Sequence, residues 1–149
     1  MKIRSLRAVE LPKQPVLTLE LARAAVAAAQ EYAQERGWAI VVAVVDAGGY
    51  LVCLERMDRV AVGTVQVAVL KAQSSAVFRV PSKTFETAVD DGLIGLVGLP
   101  GMAPYEGAVP ITVDGVTIGA VAVSGVTKEI DGEIAQAAAD TAAALVAHD

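Results

Sequence analysis

The feature that most constrains the fold is an apolar run that ends in a glycine-rich turn. Residues 39–45 are seven consecutive apolar residues, and Asp46-Ala47-Gly48-Gly49 follows them. A short continuous apolar run indicates a strand covered on both faces, and an Asp/Gly turn is typical of a hairpin. The second strand starts at Tyr50 and ends on the charged triplet Arg56-Met57-Asp58. We therefore predict a buried hairpin that delivers this triplet to the rim of the core, either as a solvated Arg–Asp pair or as part of a site.

Cap and turn signals divide the rest of the chain into helices and a second hairpin. Because the two hairpins force antiparallel pairing, the pattern predicts an α+β layered domain and not a doubly wound parallel sheet. We expect one domain over residues 1–149, with 1–16 as an irregular or edge segment. The other predicted elements are a helix at Leu19–Arg36 capped by Thr18, a helix at Val60–Arg79, a short helix from a Ser82 cap to Asp90, a short strand at Ile94–Gly98, strands at Val109–Val113 and Val116–Val123 joined by Asp114-Gly115, and a helix at Glu129–Val146.

The hydropathy of the chain predicts contact between copies. The sequence is 54% hydrophobic, with a mean hydropathy of +0.52, yet no apolar run reaches the roughly 18 residues of a membrane span. The first residues also lack the apolar core of a signal peptide. We therefore assign the surplus apolar surface to subunit contacts and expect a homo-oligomer without membrane partners.

Charge and cysteine content exclude further classes of protein. The net charge is −5, the Lys and Arg residues are scattered, and aromatic residues are few, which argues against a nucleic-acid partner. The single cysteine, Cys53, cannot form an internal disulfide, so a reducing cytoplasm is expected. Its apolar neighbours predict a small core residue and not a nucleophile.

Histidine chemistry is also excluded, because the sole histidine is His148, next to the C-terminus. Triads, Cys–His pairs and histidine-based zinc sites are therefore not expected, and we predict no protein metal site. Asp131 and Glu133 are explained by their place in the first turn of the last helix, where the helix dipole favours acidic residues.

Lys71 interrupts an otherwise apolar helix and is the main candidate for chemistry. Thr64, Lys71, Ser75 and Arg79 are spaced to share roughly one stripe of that helix. A buried lysine can have a lowered pKa and transfer protons or form a Schiff base. Its stem can equally snorkel so that the ammonium reaches water or an ion-pair partner. In a third alternative, Lys71 and Arg56 converge on an anionic ligand such as a carboxylate.

A series of short motifs occurs in order along most of the chain. These motifs are Val45-Asp46 with Gly48-Gly49, Arg56-Met57-Asp58, Lys71-Ala72, Ser74-Ser75-Ala76, Pro110-Ile111 and Gly119-Ala120-Val121-Ala122-Val123-Ser124-Gly125. Through them the chain, from Leu17 to Leu145, resembles the haem-binding and haem-degrading domain family typified by HbpS and GlcG, which also includes the C-terminal domain of the corrinoid adenosyltransferase PduO. The resemblance implies an antiparallel sheet of about five strands with helices on both faces, as in profilin-like domains, and assembly into tetramers to octamers.

The resemblance implies a small-ligand pocket and leaves two functions open. The first is a cytoplasmic binding protein for haem or a related tetrapyrrole; with His148 as the only histidine, Cys53 and Met57 are the nearest axial ligands. The second is a cofactor-free tautomerase, lyase or hydrolase of a catabolic pathway, in which Arg56 or Lys71 orients an acidic substrate and Lys71 or Asp58 moves a proton. The expected ligand-binding residues are Arg56, Met57, Lys71, Ser75, Phe85, Gly98, Tyr105 and Ser124, with Asp58 on the same pocket wall.

Overall fold

A computed structural model describes residues 8–147 and contains four helices and four strands in that range. Residues 8–18 form neither helix nor strand. No helix within residues 8–147 combines the length and the apolar character needed to cross a bilayer. In chain order the elements are α1 (Leu19–Gln34), β1 (Val41–Asp46), β2 (Leu51–Arg56), α2 (Thr64–Phe78), α3 (Ser82–Asp90), a 3₁₀ helix (Ile94–Gly98), β3 (Ala108–Val113), β4 (Val116–Ser124) and α4 (Lys128–Ala144).

The strands form one antiparallel sheet in the order β2-β1-β4-β3. The apolar run of β1 lies in the middle, and Val41 to Val45 are completely buried, as a strand covered on both faces requires. At one end of the sheet, Val41 pairs with Arg56 of β2 and with Ser124 of β4. The predicted α+β class with an antiparallel sheet is confirmed.

The two faces of the sheet carry different helices. Val42 and Val44 of β1 face a core that includes residues of α1 and α4, whereas Val41, Ala43 and Val45 face α2. The α2 layer is built from small side chains, including Ala68, Ala72 and Ala76 of the helix. Small residues on both sides let the helix approach the strands closely, which brings Lys71 of α2 over the sheet.

The sheet has four strands where about five were predicted, and the prediction of a strand at Ile94–Gly98 is wrong. This segment is a 3₁₀ helix whose amides are bonded locally, from Leu96 N to Leu93 O at 3.2 Å and from Leu99 N to Leu96 O at 3.2 Å. Its glycines and the following Pro100 disfavour a strand, and local bonding satisfies the backbone without a partner strand.

Helix boundaries follow the local signals in one case and not in two others. Thr18 caps α1 as predicted, with its hydroxyl oxygen accepting from Leu21 N at 3.2 Å. Helix α2 starts at Thr64 and not at Val60, because Gly63 occupies the cap position. Ser82 is not a cap: α3 starts on it, and its hydroxyl accepts from Ala108 N at 3.0 Å. That bond ties α3 to the beginning of β3.

Candidate functional site

The residues predicted to form one pocket lie in two groups at opposite edges of the sheet. Arg56 ends the edge strand β2, while the Lys71 ammonium bonds to Glu106, which lies just before the other edge strand, β3. With β1 and β4 between them, three strand spacings separate these edges by about 14 Å. Arg56 is exposed at its edge, whereas the Lys71 ammonium is buried and bonded to Glu106 and Asp131. The structure therefore does not bring them together on one anion.

The first group lines an open cleft of about 670 Å³ beside the turn that follows β2. Trp38 and Met57 pack against the core of the α1/α4 layer and form an apolar floor. Arg56, Asp58 and Arg59 are exposed at the rim. Sequence reasoning missed Trp38 and Arg59, although Trp38 is the only tryptophan and Arg59 adjoins the predicted triplet. Apolar surface from Trp38 and Met57 and two guanidinium groups, with the Asp58 carboxylate beside them, suit a ligand that has an apolar body and carboxylates.

The second group is centred on Lys71, whose side chain is 0% exposed. Its ammonium donates to the carbonyl oxygen of Glu106 at 3.1 Å and to Oδ2 of Asp131 at 3.4 Å. The other carboxylate oxygen, Oδ1 of Asp131, accepts from Val126 N at 3.1 Å. The ring of Tyr105 lies 5.6 Å from the ammonium and is half exposed. Lys71 thus has an ion-pair partner within its own chain, as one of the alternatives foresaw.

Gly107 makes room for this ammonium. The residue has a φ of +132°, and a Cβ atom there would collide with the Lys71 ammonium and approach Val123 O to 2.8 Å. Because glycine alone lacks that atom, the lysine reaches the backbone of the segment before β3. A larger side chain at position 107 would displace Lys71 from its partners.

Burial disfavours the charged form of both members of the Lys71–Asp131 pair. Removal from water lowers the pKa of the Lys71 ammonium, and the attraction of Asp131 opposes this shift. Removal from water also raises the pKa of the Asp131 carboxyl, against the effects of Lys71 and the Val126 amide. A pair in which the charge of each member is disfavoured is suited to holding or passing a proton.

Two ion pairs and a hydrogen bond hold the segment around Glu106, which accepts the bond from Lys71. Glu86 on α3 accepts from Glu106 N at 2.7 Å and also pairs with Lys128. The Glu106 carboxylate pairs with Lys83 at 3.2 Å. Together with the Lys71 bond, these contacts hold the backbone and the side chain of Glu106.

The remaining predicted residues lie elsewhere. The Ser75 hydroxyl donates to Val80 O at 2.7 Å, and Phe85 packs edge-on against Phe78 with centroids 5.4 Å apart. Gly98 ends the exposed 3₁₀ helix, and Ser124 ends β4, paired with Val41. Cys53 is partly buried, and burial is the main cause that raises the pKa of its thiol. His148 lies outside the described residues.

Asp131 is the functional candidate that sequence reasoning missed. It was attributed to the helix dipole, yet it is only 3% exposed. The available signal was its spacing, because Asp131 precedes the buried residues Ala135, Ala138 and Ala142 by four, seven and eleven positions. Those intervals place all four residues on one face of α4.

The fold and the two groups define an α+β domain with helices on both faces of an antiparallel sheet, an open cleft and a buried ion pair. Residues 17–140 match the family described as "Haem degrading protein HbpS-like". The Escherichia coli K12 protein GlcG is 41% identical over 109 residues, which cover 73% of this chain and 81% of GlcG. The chain belongs to the HbpS-like family.

Solved structures share the whole fold. Klebsiella pneumoniae protein ORFY is 32% identical, with a TM-score of 0.86, and the match covers 94% of this chain and 100% of ORFY. A double mutant of Streptomyces reticuli HbpS is 28% identical, with a TM-score of 0.83, and the match covers 97% of this chain and 96% of HbpS.

Proposed function

We propose that this protein binds haem or a related tetrapyrrole, as a non-catalytic binding protein of the cytoplasm. The observation that carries the proposal is the cleft whose floor is Trp38 and Met57 and whose rim bears Arg56 and Arg59. Its volume of about 670 Å³ lies within the range of cofactor pockets. The description of the matched family as haem-degrading supports the same ligand class.

The side chains of the cleft fit a tetrapyrrole in three respects. The Met57 thioether is an axial-ligand type for haem iron, Trp38 offers an apolar ring surface, and the Arg56 and Arg59 guanidiniums can pair with propionates. Cys53 fits less well, because burial raises the pKa of its thiol and thiolate is the binding form. When bound, haem would supply an iron that takes an axial ligand. Met57, Trp38 and the two rim arginines would hold the group.

Titration with haemin tests the proposal through the rim arginines. Loss of one charge-assisted hydrogen bond, worth about 1.5–3 kcal/mol, weakens binding at least tenfold. We therefore expect Arg56→Gln and Arg59→Gln to raise the Kd by that factor. Arg79→Gln is the matched control, because Arg79 is exposed at the end of α2 and not in the cleft. Equal affinity in all variants would overturn the assignment of the cleft.

We also propose that the protein acts as a homo-oligomer of four to eight copies. The support is the number of large apolar side chains that one chain leaves exposed, among them Tyr50, Val77 and Phe78. Monomers rarely expose apolar patches beyond a few hundred Å². Light scattering on the purified protein measures the mass, and a monomer at micromolar concentration would contradict the proposal.

A second candidate function is a cofactor-free enzyme that moves a proton on an acidic substrate. The observation that favours it is the buried Lys71–Asp131 pair at 3.4 Å, in which burial lowers the pKa of the amine and raises the pKa of the carboxyl, as a proton-transferring pair requires. NMR in D₂O would detect exchange of the carbon-bound protons of pyruvate or oxaloacetate. We expect Lys71→Ala to abolish the exchange and Lys13→Ala, a change at an exposed lysine outside this group, to retain it. Unchanged exchange in Lys71→Ala would exclude this role.

A further inference from the structure

Helix α2 has the composition of a helix that is covered on all sides. Between Thr64 and Phe78 its only charged residue is Lys71, and that side chain is completely buried against Glu106 and Asp131. The outer side nevertheless faces solvent in a single chain: Val67 is 37%, Leu70 38%, Val77 46% and Phe78 51% exposed. Gln66 is the one polar residue among the exposed residues of this helix. A solvent-facing side is normally polar, so the apolar outer side of α2 lacks a cover.

The exposed apolar surface continues beyond the helix. Tyr50 of the β1–β2 turn, 75% exposed, borders the same depression as Val77, Phe78 and Pro100. The loop that follows the 3₁₀ helix lies across α2, because the Ser74 hydroxyl bonds to Gly101 O at 2.9 Å and to Ala103 N at 2.7 Å. This loop adds Leu99 to the surface. We define the α2 face as Tyr50, Val67, Leu70, Val77, Phe78 and Leu99.

We propose that the α2 face is the contact between two copies of this chain, an inference that rests on the proposed homo-oligomer and names its interface. The face carries no charge, so a second copy meets it without burying an unpaired ion. The segment before Leu99 adds exposed apolar side chains at Leu93, Ile94 and Val97, toward the ~800 Å² per partner that a standard interface buries. Pairing the same face across a two-fold axis makes the contact self-complementary.

The composition of the face disfavours a membrane surface as the occupant. Helices that lie on membranes carry Lys and Arg along their polar side. Helix α2 has Lys71 alone, buried against Asp131, and the chain has a net charge of −5. Such a helix lacks the cations that anionic lipids attract.

Light scattering on Leu70→Glu tests the interface, because a carboxylate at the centre of an apolar contact is strongly unfavourable. We expect the molar mass to fall at least twofold, with the circular dichroism spectrum unchanged. Val67→Glu is a second variant in case the first does not fold. Val9→Glu is the matched control, since Val9 is 81% exposed outside the α2 face, and it should keep the wild-type mass.

The outcomes separate the interface from the proposed oligomer. If folded Leu70→Glu and Val67→Glu keep the wild-type molar mass, the α2 face is not the interface, although the protein is still an oligomer. A monomeric wild type would overturn both. Binding of the wild type to phosphatidylcholine–phosphatidylglycerol vesicles that Leu70→Glu abolishes would overturn the second copy as the occupant.

Discussion

Lys71 and Asp131 form a buried ion pair, and each residue depends on the other as the partner of its charge. The two charges are 3.4 Å apart and almost inaccessible to water. Removing one member of such a pair costs about 3–5 kcal/mol, because the other charge stays buried without a partner, whereas replacing both with apolar residues is often neutral. The pair is therefore expected to couple strongly in mutagenesis.

Urea unfolding of Lys71→Met, Asp131→Leu and the double variant measures this coupling. We expect each single variant to lose about 3–5 kcal/mol and the double variant to recover most of that loss. The exposed pair Arg36–Glu35 is the control and should couple by less than about 1 kcal/mol. Additive losses at Lys71 and Asp131 would contradict the account.

The pH dependence of stability tests the raised pKa of Asp131. A carboxyl with a raised pKa in the folded state stabilises the fold below its unfolded value of 3.8, and this contribution is lost as pH rises through the folded value. The unfolding free energy of the wild type minus that of Asp131→Asn should therefore fall as pH rises above about 4. A difference that grows with pH would mean that Lys71 lowers the pKa of Asp131 more than burial raises it.

At the scale of elements, local signals sufficed for most of the fold. The apolar run of β1, the Gly48-Gly49 turn and the Thr18 cap each act over a few residues, and the structure contains all three. The 3₁₀ helix was missed because its apolar residues match a short strand, and its backbone bonds decide the difference.

The site was less predictable because it depends on contacts between distant segments. Asp131 lies 60 positions after Lys71, so no local spacing links the two residues. The sequence also could not reveal that β1 and β4 separate Arg56 from Lys71, since strand order is a property of the whole sheet.

We expect the hydrogen bonds of Ser74 to protect the loop before β3 from local opening. The Ser74→Ala change removes the bonds to Gly101 and Ala103, so the amides of residues 99–105 should exchange with deuterium at least tenfold faster. Ser75→Ala is the matched control, because Ser75 belongs to the same helix but bonds to Val80. Equal exchange in both variants would contradict the role of Ser74.

At the scale of the whole molecule, the cleft, the buried ion pair and the α2 face lie on separate parts of the domain. The cleft of Trp38 and Met57 lies beside the end of β2, the Lys71–Asp131 pair lies beside the start of β3, and the α2 face lies on the outside of the helix layer. Substitutions on the α2 face should therefore change the mass without changing the axial ligand of a bound haem.

The most direct test of the central claim is an absorbance titration with haemin of wild type, Met57→Leu and Met102→Leu. Met102 is the matched control, since it lies in the loop before β3 and not in the cleft. We expect a saturable Soret shift in the wild type, the same shift in Met102→Leu, and a different band position in Met57→Leu because a thioether is lost. No shift above a protein-free control, or identical bands in all three proteins, would contradict this claim.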